Sequence, residues 1–182
     1  MKPLQSIAAM ASLAVAALCV AVPVLGQDLP YPEADFLRKA AAGGHAEVQA
    51  SQLAQSRATT REVKDFATQM LAEHAKNAEA LERLAASKAV TLPQVPTKAQ
   101  TAEIEALAAT EGAEFDRRYA ERFGVKAHEE MLALMNTGAQ AKDPHVKDYA
   151  EQTRAAVEQH LKMGKALQSS VAKRTSAAAA RP

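Results

Sequence analysis

The sequence has few of the residues that build disulfides, sheets or aromatic surfaces. It contains one cysteine, Cys19, and no tryptophan, and aromatic residues make up 4% of the chain. After position 26 there are 36 alanines but only nine valines and isoleucines, a composition that favours helix over sheet. The absence of cysteine beyond position 26 excludes a disulfide, a thiolate metal site and a cysteine nucleophile from that part of the sequence.

The chain also lacks an excess of charge of either sign. It has 22 Lys and Arg against 21 Asp and Glu, a formal net charge of +1. Binding of nucleic acid or of an anionic membrane through net charge requires a strongly basic chain. We therefore expect no nucleic-acid partner and no membrane partner for the chain beyond position 26.

The first 26 residues are typical of an export signal. Lys2 is followed by an apolar run from Ile7 to Val22, then by Pro23 and a short exit ending at Gly26. This pattern predicts a signal peptide over residues 1–26, cleaved before Gln27, and a periplasmic location. The apolar run is also just long enough for an uncleaved membrane anchor, and a lipoprotein signal at Cys19 fits less well because Leu18 precedes it.

The mature sequence predicts a single all-α domain over residues 27–172, followed by a disordered tail over 173–182. Apolar periodicity and capping residues indicate four long helices and one short one. Their predicted ranges are 33–57, 61–89, 99–110, 113–136 and 144–171. Asp143 and Pro144 are predicted to open the last helix, as N-cap and first helical residue.

A shift of the sequence by 83 residues aligns two predicted hairpins without a gap. It places Val63-Lys64-Asp65-Phe66-Ala67 on Val146-Lys147-Asp148-Tyr149-Ala150 and His45 on His128, which indicates an internal duplication. The segment between the hairpins, 90–112, contains the short helix and is long enough to cross the length of a bundle. We therefore predict a ferritin-like four-helix bundle made of two helical hairpins joined by a crossover.

The sequence resembles a known family over residues 34–169. The resemblance is carried by Phe36-Leu37-Arg38-Lys39-Ala40, Val63 to Ala67 with Met70 and His74, Thr91-Leu92-Pro93, Phe115 to Tyr119, His128, and Asp143-Pro144 leading to His160-Leu161. These strings, in this order, are similar to the ferritin-like domain of unknown function 4142 of exported bacterial proteins. The resemblance implies a helical bundle and export, and it implies no defined activity.

Each long helix carries one ionisable residue on its predicted apolar face: Glu47, His74, Glu130 and His160. A lone buried charge costs several kcal/mol, so we expect the four side chains to meet near the middle of the bundle. A di-iron centre needs a Glu three residues before each His, and Leu71 and Val157 stand there instead. Two readings remain open, a mononuclear site for one divalent metal ion and a structural hydrogen-bonded network.

Three further residues are candidates for a role. His128 lies on a secondary stripe of its predicted helix, away from Glu130. There it would face a partner, cap the edge of the bundle or, if that helix is wound differently, join the site. Asp116 and Tyr119 are expected to anchor the crossover. No motif for nucleophilic catalysis is present. We therefore expect a non-enzymatic envelope or stress-related protein with an unknown protein partner, and the alternative is a metal-binding or redox protein.

Overall fold

The computed structural model describes residues 29–179 and, within that range, contains helices and connecting segments but no strand. The helices are α1 (Tyr31–Arg57), α2 (Arg61–Ser87), α3 (Lys98–Ala108), α4 (Gly112–Tyr119), α5 (Ala127–Gly138) and α6 (Pro144–Ala179), and a π-helical segment (Ala120–Lys126) joins α4 to α5. The all-α prediction is confirmed. The predicted signal peptide, 1–26, lies outside the described residues.

The start of α6 agrees with the sequence prediction. Asp143 Oδ1 accepts hydrogen bonds from the backbone N–H groups of His145 (3.0 Å) and Val146 (3.2 Å), which is the geometry of an N-cap. Pro144 is the first helical residue, where its missing N–H costs nothing.

The end of α6 differs from the prediction. The helix continues to Ala179, so the expected disorder is wrong for residues 173–179. Val171 is 3% exposed, and one turn later Arg174 forms an ion pair with Glu62 of α2. The apolar periodicity of the sequence ends near Val171. The high helix propensity of alanine and the contact with α2 extend the helix beyond that point.

The long helices pack as an antiparallel bundle. α1 packs on α2 and α5, and α6 packs on α2, α5 and the π-helical segment. Glu33 of α1 contacts Lys142 at one end of the bundle, and Ser51 contacts Tyr119 further along, so α1 runs opposite to α4 and α5. The connection 88–111, with α3 packed on α1 and α4, therefore returns the chain along the bundle.

The interior has two apolar clusters. One contains Phe66, Met70, Phe123 and Leu167 among others, and the second contains Phe36, Leu81, Met135 and Val157 among others. On α2, α5 and α6, one histidine lies between the residues of the first cluster and those of the second. Within residues 29–179, no helix has the length and apolar character that crossing a lipid bilayer requires.

Candidate functional site

Three buried histidines meet between the two apolar clusters. His74 of α2, His128 of α5 and His160 of α6 are 9%, 2% and 5% exposed. Their ring centroids are 6.1 Å (His74 to His128), 5.8 Å (His74 to His160) and 5.4 Å (His128 to His160) apart. One ring nitrogen from each residue lies within 4.8 Å of those of the other two. We call these three residues the histidine cluster.

Two of the rings are oriented by hydrogen bonds that one of their nitrogens donates. His128 Nδ1 donates to the carbonyl oxygen of Phe123 at 2.8 Å, and His160 Nε2 donates to the Glu73 carboxylate at 2.6 Å. In a neutral imidazole with one nitrogen donating, the other nitrogen keeps a free lone pair. His128 Nε2, His160 Nδ1 and His74 Nε2 are buried and have no hydrogen-bond partner among the described residues.

Burial disfavours the charged forms of His74 and His128. It lowers the pKa of His74 to about 3, helped by the neighbouring His128 and His160. It also lowers the pKa of His128 to about 4, and hydrogen bonding to the backbone partly opposes this. The bond from His160 holds the pKa of Glu73 below its usual value. At neutral pH, His74 and His128 are therefore unprotonated, the form in which imidazole binds metal ions.

The histidine cluster has the features of a metal-ligand set. Metal-bound histidines usually donate their second ring N–H to a carboxylate or a backbone carbonyl, as His160 and His128 do here. Ligand nitrogens about 2.0–2.1 Å from a tetrahedral zinc ion stand about 3.4 Å apart. Since the nitrogens here lie within 4.8 Å of one another, small side-chain rotations suffice to reach that geometry.

The π-helical segment turns His128 inward and Glu130 outward. In this segment the Ala127 N–H bonds to the carbonyl of Arg122, five residues back, so the turn is one residue wider than in an α-helix. The buried face moves from the predicted Ala127 and Leu134 to His128 and Met135. The prediction that Glu130 faces inward is wrong, since its side chain is 55% exposed and pairs with Arg122 at 3.1 Å.

Two glycines bring the π-helical segment against α6. A Cβ built on Gly164 would lie 3.1 Å from the Cα of Gly124 and still closer to its carbonyl group. Only glycine at position 164 allows this approach. Gly164 follows His160 by one helical turn, and Gly124 precedes His128 by one turn, so this contact sets the separation of the two imidazoles.

The predicted set of four site residues is thus only partly brought together. His74 and His160 meet, His128 joins them, and Glu130 lies on the surface. Glu47 is buried, 4% exposed, but is not among the residues whose ligand atoms converge within the described chain. It lines a separate cavity with Arg122.

Asp116 and Tyr119 hold α4 to the first hairpin. Asp116, 1% exposed, accepts hydrogen bonds from Thr59 N (2.9 Å), Thr59 Oγ1 (2.8 Å) and Thr60 N (2.8 Å). It satisfies the N–H groups of the two residues that precede α2. The N-cap residue of that helix, Thr60, makes no side-chain capping hydrogen bond. The Tyr119 hydroxyl is 2.9 Å from Ser51 Oγ, and burial raises the pKa of that hydroxyl. These contacts tie α4 to α1 and to the residues that precede α2.

The fold and the histidine cluster define an all-helical protein with three imidazoles in its core. The family model of domain of unknown function 4142 matches residues 26–167, and the chain belongs to this family. No curated protein matches the sequence significantly. The crystal structure of a DUF305 fragment from Deinococcus radiodurans is similar, with a TM-score of 0.69 and 13% identity over 78% of this chain and 98% of that chain. This likeness establishes the helical-bundle fold.

Proposed function

We propose that this protein is an exported, ferritin-like helical bundle that binds one transition-metal ion through His74, His128 and His160. The observation that carries the proposal is the convergence of three imidazole nitrogens within 4.8 Å. His128 Nδ1 and His160 Nε2 already donate hydrogen bonds to the Phe123 carbonyl and the Glu73 carboxylate. Such a set suits a metal ion, because each ring has a buried nitrogen without a partner in the described structure and two of the rings are held by hydrogen bonds.

The donor set selects the class of metal. A set of three imidazole ligands suits late first-row ions such as Zn²⁺, Cu²⁺, Ni²⁺ and Co²⁺, whereas Ca²⁺ and Mg²⁺ require oxygen ligands. Glu73, paired with His160, offsets part of the charge of a divalent ion. Three protein ligands leave a fourth position of a tetrahedral ion for a water molecule or an external ligand.

The antiparallel packing with a returning connection supports a ferritin-like arrangement. The amino-terminal pattern of residues 1–26 supports export, and hence action in the periplasm or cell envelope. We infer a role in binding or carrying the metal there and no catalytic role, since the three histidines are almost completely buried and a substrate would have to reach the ion between packed helices.

Metal analysis of the purified protein tests the proposal. After incubation with Zn²⁺, Cu²⁺, Ni²⁺ or Co²⁺ in separate samples and removal of excess, we expect about one equivalent of a bound ion. The variant His128→Ala should lose it. The matched control, His145→Ala at an exposed position of α6, should retain it, and so should Glu130→Gln.

Two results would contradict the proposal. One is the absence of stoichiometric metal in all four samples. The other is equal metal content in His128→Ala and His145→Ala. If His128→Ala lowers only the stability of a protein that binds no metal, the cluster is a structural layer of the core.

A further inference from the structure

A second polar group in the bundle interior lies outside the histidine cluster. Glu47 of α1 is 4% exposed, and neither of its carboxylate oxygens has a hydrogen-bond partner within residues 29–179. The residue lines a cavity of about 230 Å³. Nearly all buried polar groups of folded proteins are hydrogen-bonded, so we expect Glu47 to form hydrogen bonds with a partner from outside the chain.

The cavity is negatively charged on balance. Arg122 Nη2 donates to Glu103 at 2.5 Å and to Glu130 at 3.1 Å, so two carboxylates face one guanidinium, and Glu47 adds to the negative charge only when it is ionised. Lys39 also lines the cavity, but Asp35 pairs with it at 2.8 Å. An anionic ligand would therefore meet excess negative charge, and a cation would be attracted.

The remaining walls limit the size and character of the ligand. They are mostly small or apolar and include Ala42, Gly43, Ala46, Phe123 and Met131. Arg122 lines the cavity, and its Nε and Nη1 have no acceptor in the described part of the chain, so a small movement of its guanidinium group would offer hydrogen-bond donors to a polar atom of the ligand. The volume accommodates an organic molecule of a few carbon atoms.

We propose that the cavity binds a small organic ammonium ion: the buried Glu47 carboxylate turns into the cavity by a side-chain rotation and accepts hydrogen bonds from the N–H groups of the ion, while the short alkyl body of the ion lies against the apolar walls. A hydroxyl at the other end of such an ion can accept a hydrogen bond from Arg122. A simple metal cation fits less well, because the carboxylates of Glu47, Glu103 and Glu130 do not converge within ligand distance in the described structure.

The ionisation of Glu47 agrees with this ligand. Burial raises its pKa to about 8, Arg122 partly opposes the rise, and Glu130 adds to it. An ammonium ion bound between the two oxygens favours the carboxylate form. Binding at neutral pH should therefore release close to one proton, which distinguishes an ammonium ion held at Glu47 from one bound at the exposed acidic surface.

Isothermal titration calorimetry with 3-hydroxypropylammonium and n-propylammonium tests the proposal, with 1-propanol and propionate as probes of the same length without the positive charge. We expect saturable binding of the ammonium ions at one site, with a dissociation constant of about 1 mM or below. Repeating the titration in buffers of different ionisation enthalpy measures the released proton. Glu47→Gln, which keeps the shape of the side chain, should weaken binding by about tenfold or more.

Glu151→Gln is the matched control, since Glu151 is an exposed carboxylate on α6 and its loss should leave the affinity unchanged. His128→Ala should also retain ammonium binding, because the cavity does not include the histidine cluster. The proposal is overturned if neither ammonium ion binds saturably, if 1-propanol binds equally well, or if Glu47→Gln binds as the unmodified protein does. Should Glu47→Gln fail to fold, the comparison of charged and uncharged probes in the unmodified protein decides alone.

Discussion

Replacing Gly164 by alanine should damage both the fold and the histidine cluster. The added Cβ would lie 3.1 Å from Gly124 Cα and overlap the carbonyl carbon and oxygen of Gly124. These are backbone atoms that no side-chain rotation can move aside. The π-helical segment and α6 must therefore separate by about 1 Å or more to restore ordinary van der Waals contact.

The magnitude follows from two opposing effects. Alanine is favoured over glycine inside a helix by about 0.5–1 kcal/mol, whereas forced separation of packed helices typically costs about 1–3 kcal/mol or more. Because the obstacle here is backbone, we expect a net loss of about 2 kcal/mol in the free energy of unfolding for Gly164→Ala. Gly44→Ala is the matched control, since a Cβ there meets nothing within 4 Å, and it should stabilise the protein slightly.

Urea denaturation of the two variants measures the difference. His160 lies one turn before Gly164, so the same displacement should also move its imidazole away from His128 and weaken metal binding in Gly164→Ala alone. If Gly164→Ala is as stable as Gly44→Ala and binds metal equally well, the close contact between the π-helical segment and α6 does not position the cluster, and our account of His160 is wrong.

Three further changes have defined outcomes. Because the pKa values of His74 and His128 are lowered to about 3 and 4, the unfolded chain binds more protons at these residues below pH 6.5, which should lower the stability of metal-free protein by about 4 kcal/mol at pH 5. The raised pKa of Glu47 acts in the opposite direction, so urea titration of the metal-free Glu47→Gln variant at each pH measures the loss that comes from the histidines. Asp116→Ala removes the acceptor for Thr59 and Thr60 and should cost about 2–3 kcal/mol in the same assay; an unchanged denaturation midpoint would contradict the anchoring role. Glu73→Gln should weaken metal affinity about 10–100-fold with little effect on folding, as competition with a chelator would report.

The helices could be predicted from the sequence because local signals determine them. Prolines, Asp143 and the apolar period mark most helix ends within a few residues of those observed. The extension of α6 to Ala179 could not be predicted in the same way. It depends on the contact between Arg174 and Glu62, which are distant in sequence.

The candidate site was predicted only in part, because the helix that carries His128 and Glu130 is preceded by a segment that is not a regular α-helix. A regular 3.6-residue period places Glu130 inward and His128 aside. The wider turns of Ala120–Lys126 move the inward face by one residue, and periodicity carries no signal for such a segment. The two clues in the sequence were Gly124 inside a long helix and the place of His128 among the family-like strings.

The two halves of the predicted duplication can be compared position by position, and the comparison bears on the role of the histidine cluster. The two halves repeat the same anchor: Asp116 accepts from Thr59 N and Thr60 N, and Glu33, 83 residues earlier, accepts from Lys142 N and Asp143 N. They also repeat an edge-to-face aromatic pair, Phe36 with Tyr149 and Tyr119 with Phe66.

The halves diverge at the cluster itself. The positions equivalent to His74, His160 and His128 are occupied by Val157, Asn77 and His45. There, Val157 is 4% exposed, Asn77 is satisfied by Tyr149 and Thr153, and His45 bonds to the Pro93 carbonyl. The same scaffold therefore packs without three converging imidazoles. Packing alone does not require a cluster in which one buried nitrogen of each ring lacks a partner in the described structure. This difference between the halves supports our proposal that those nitrogens bind a ligand.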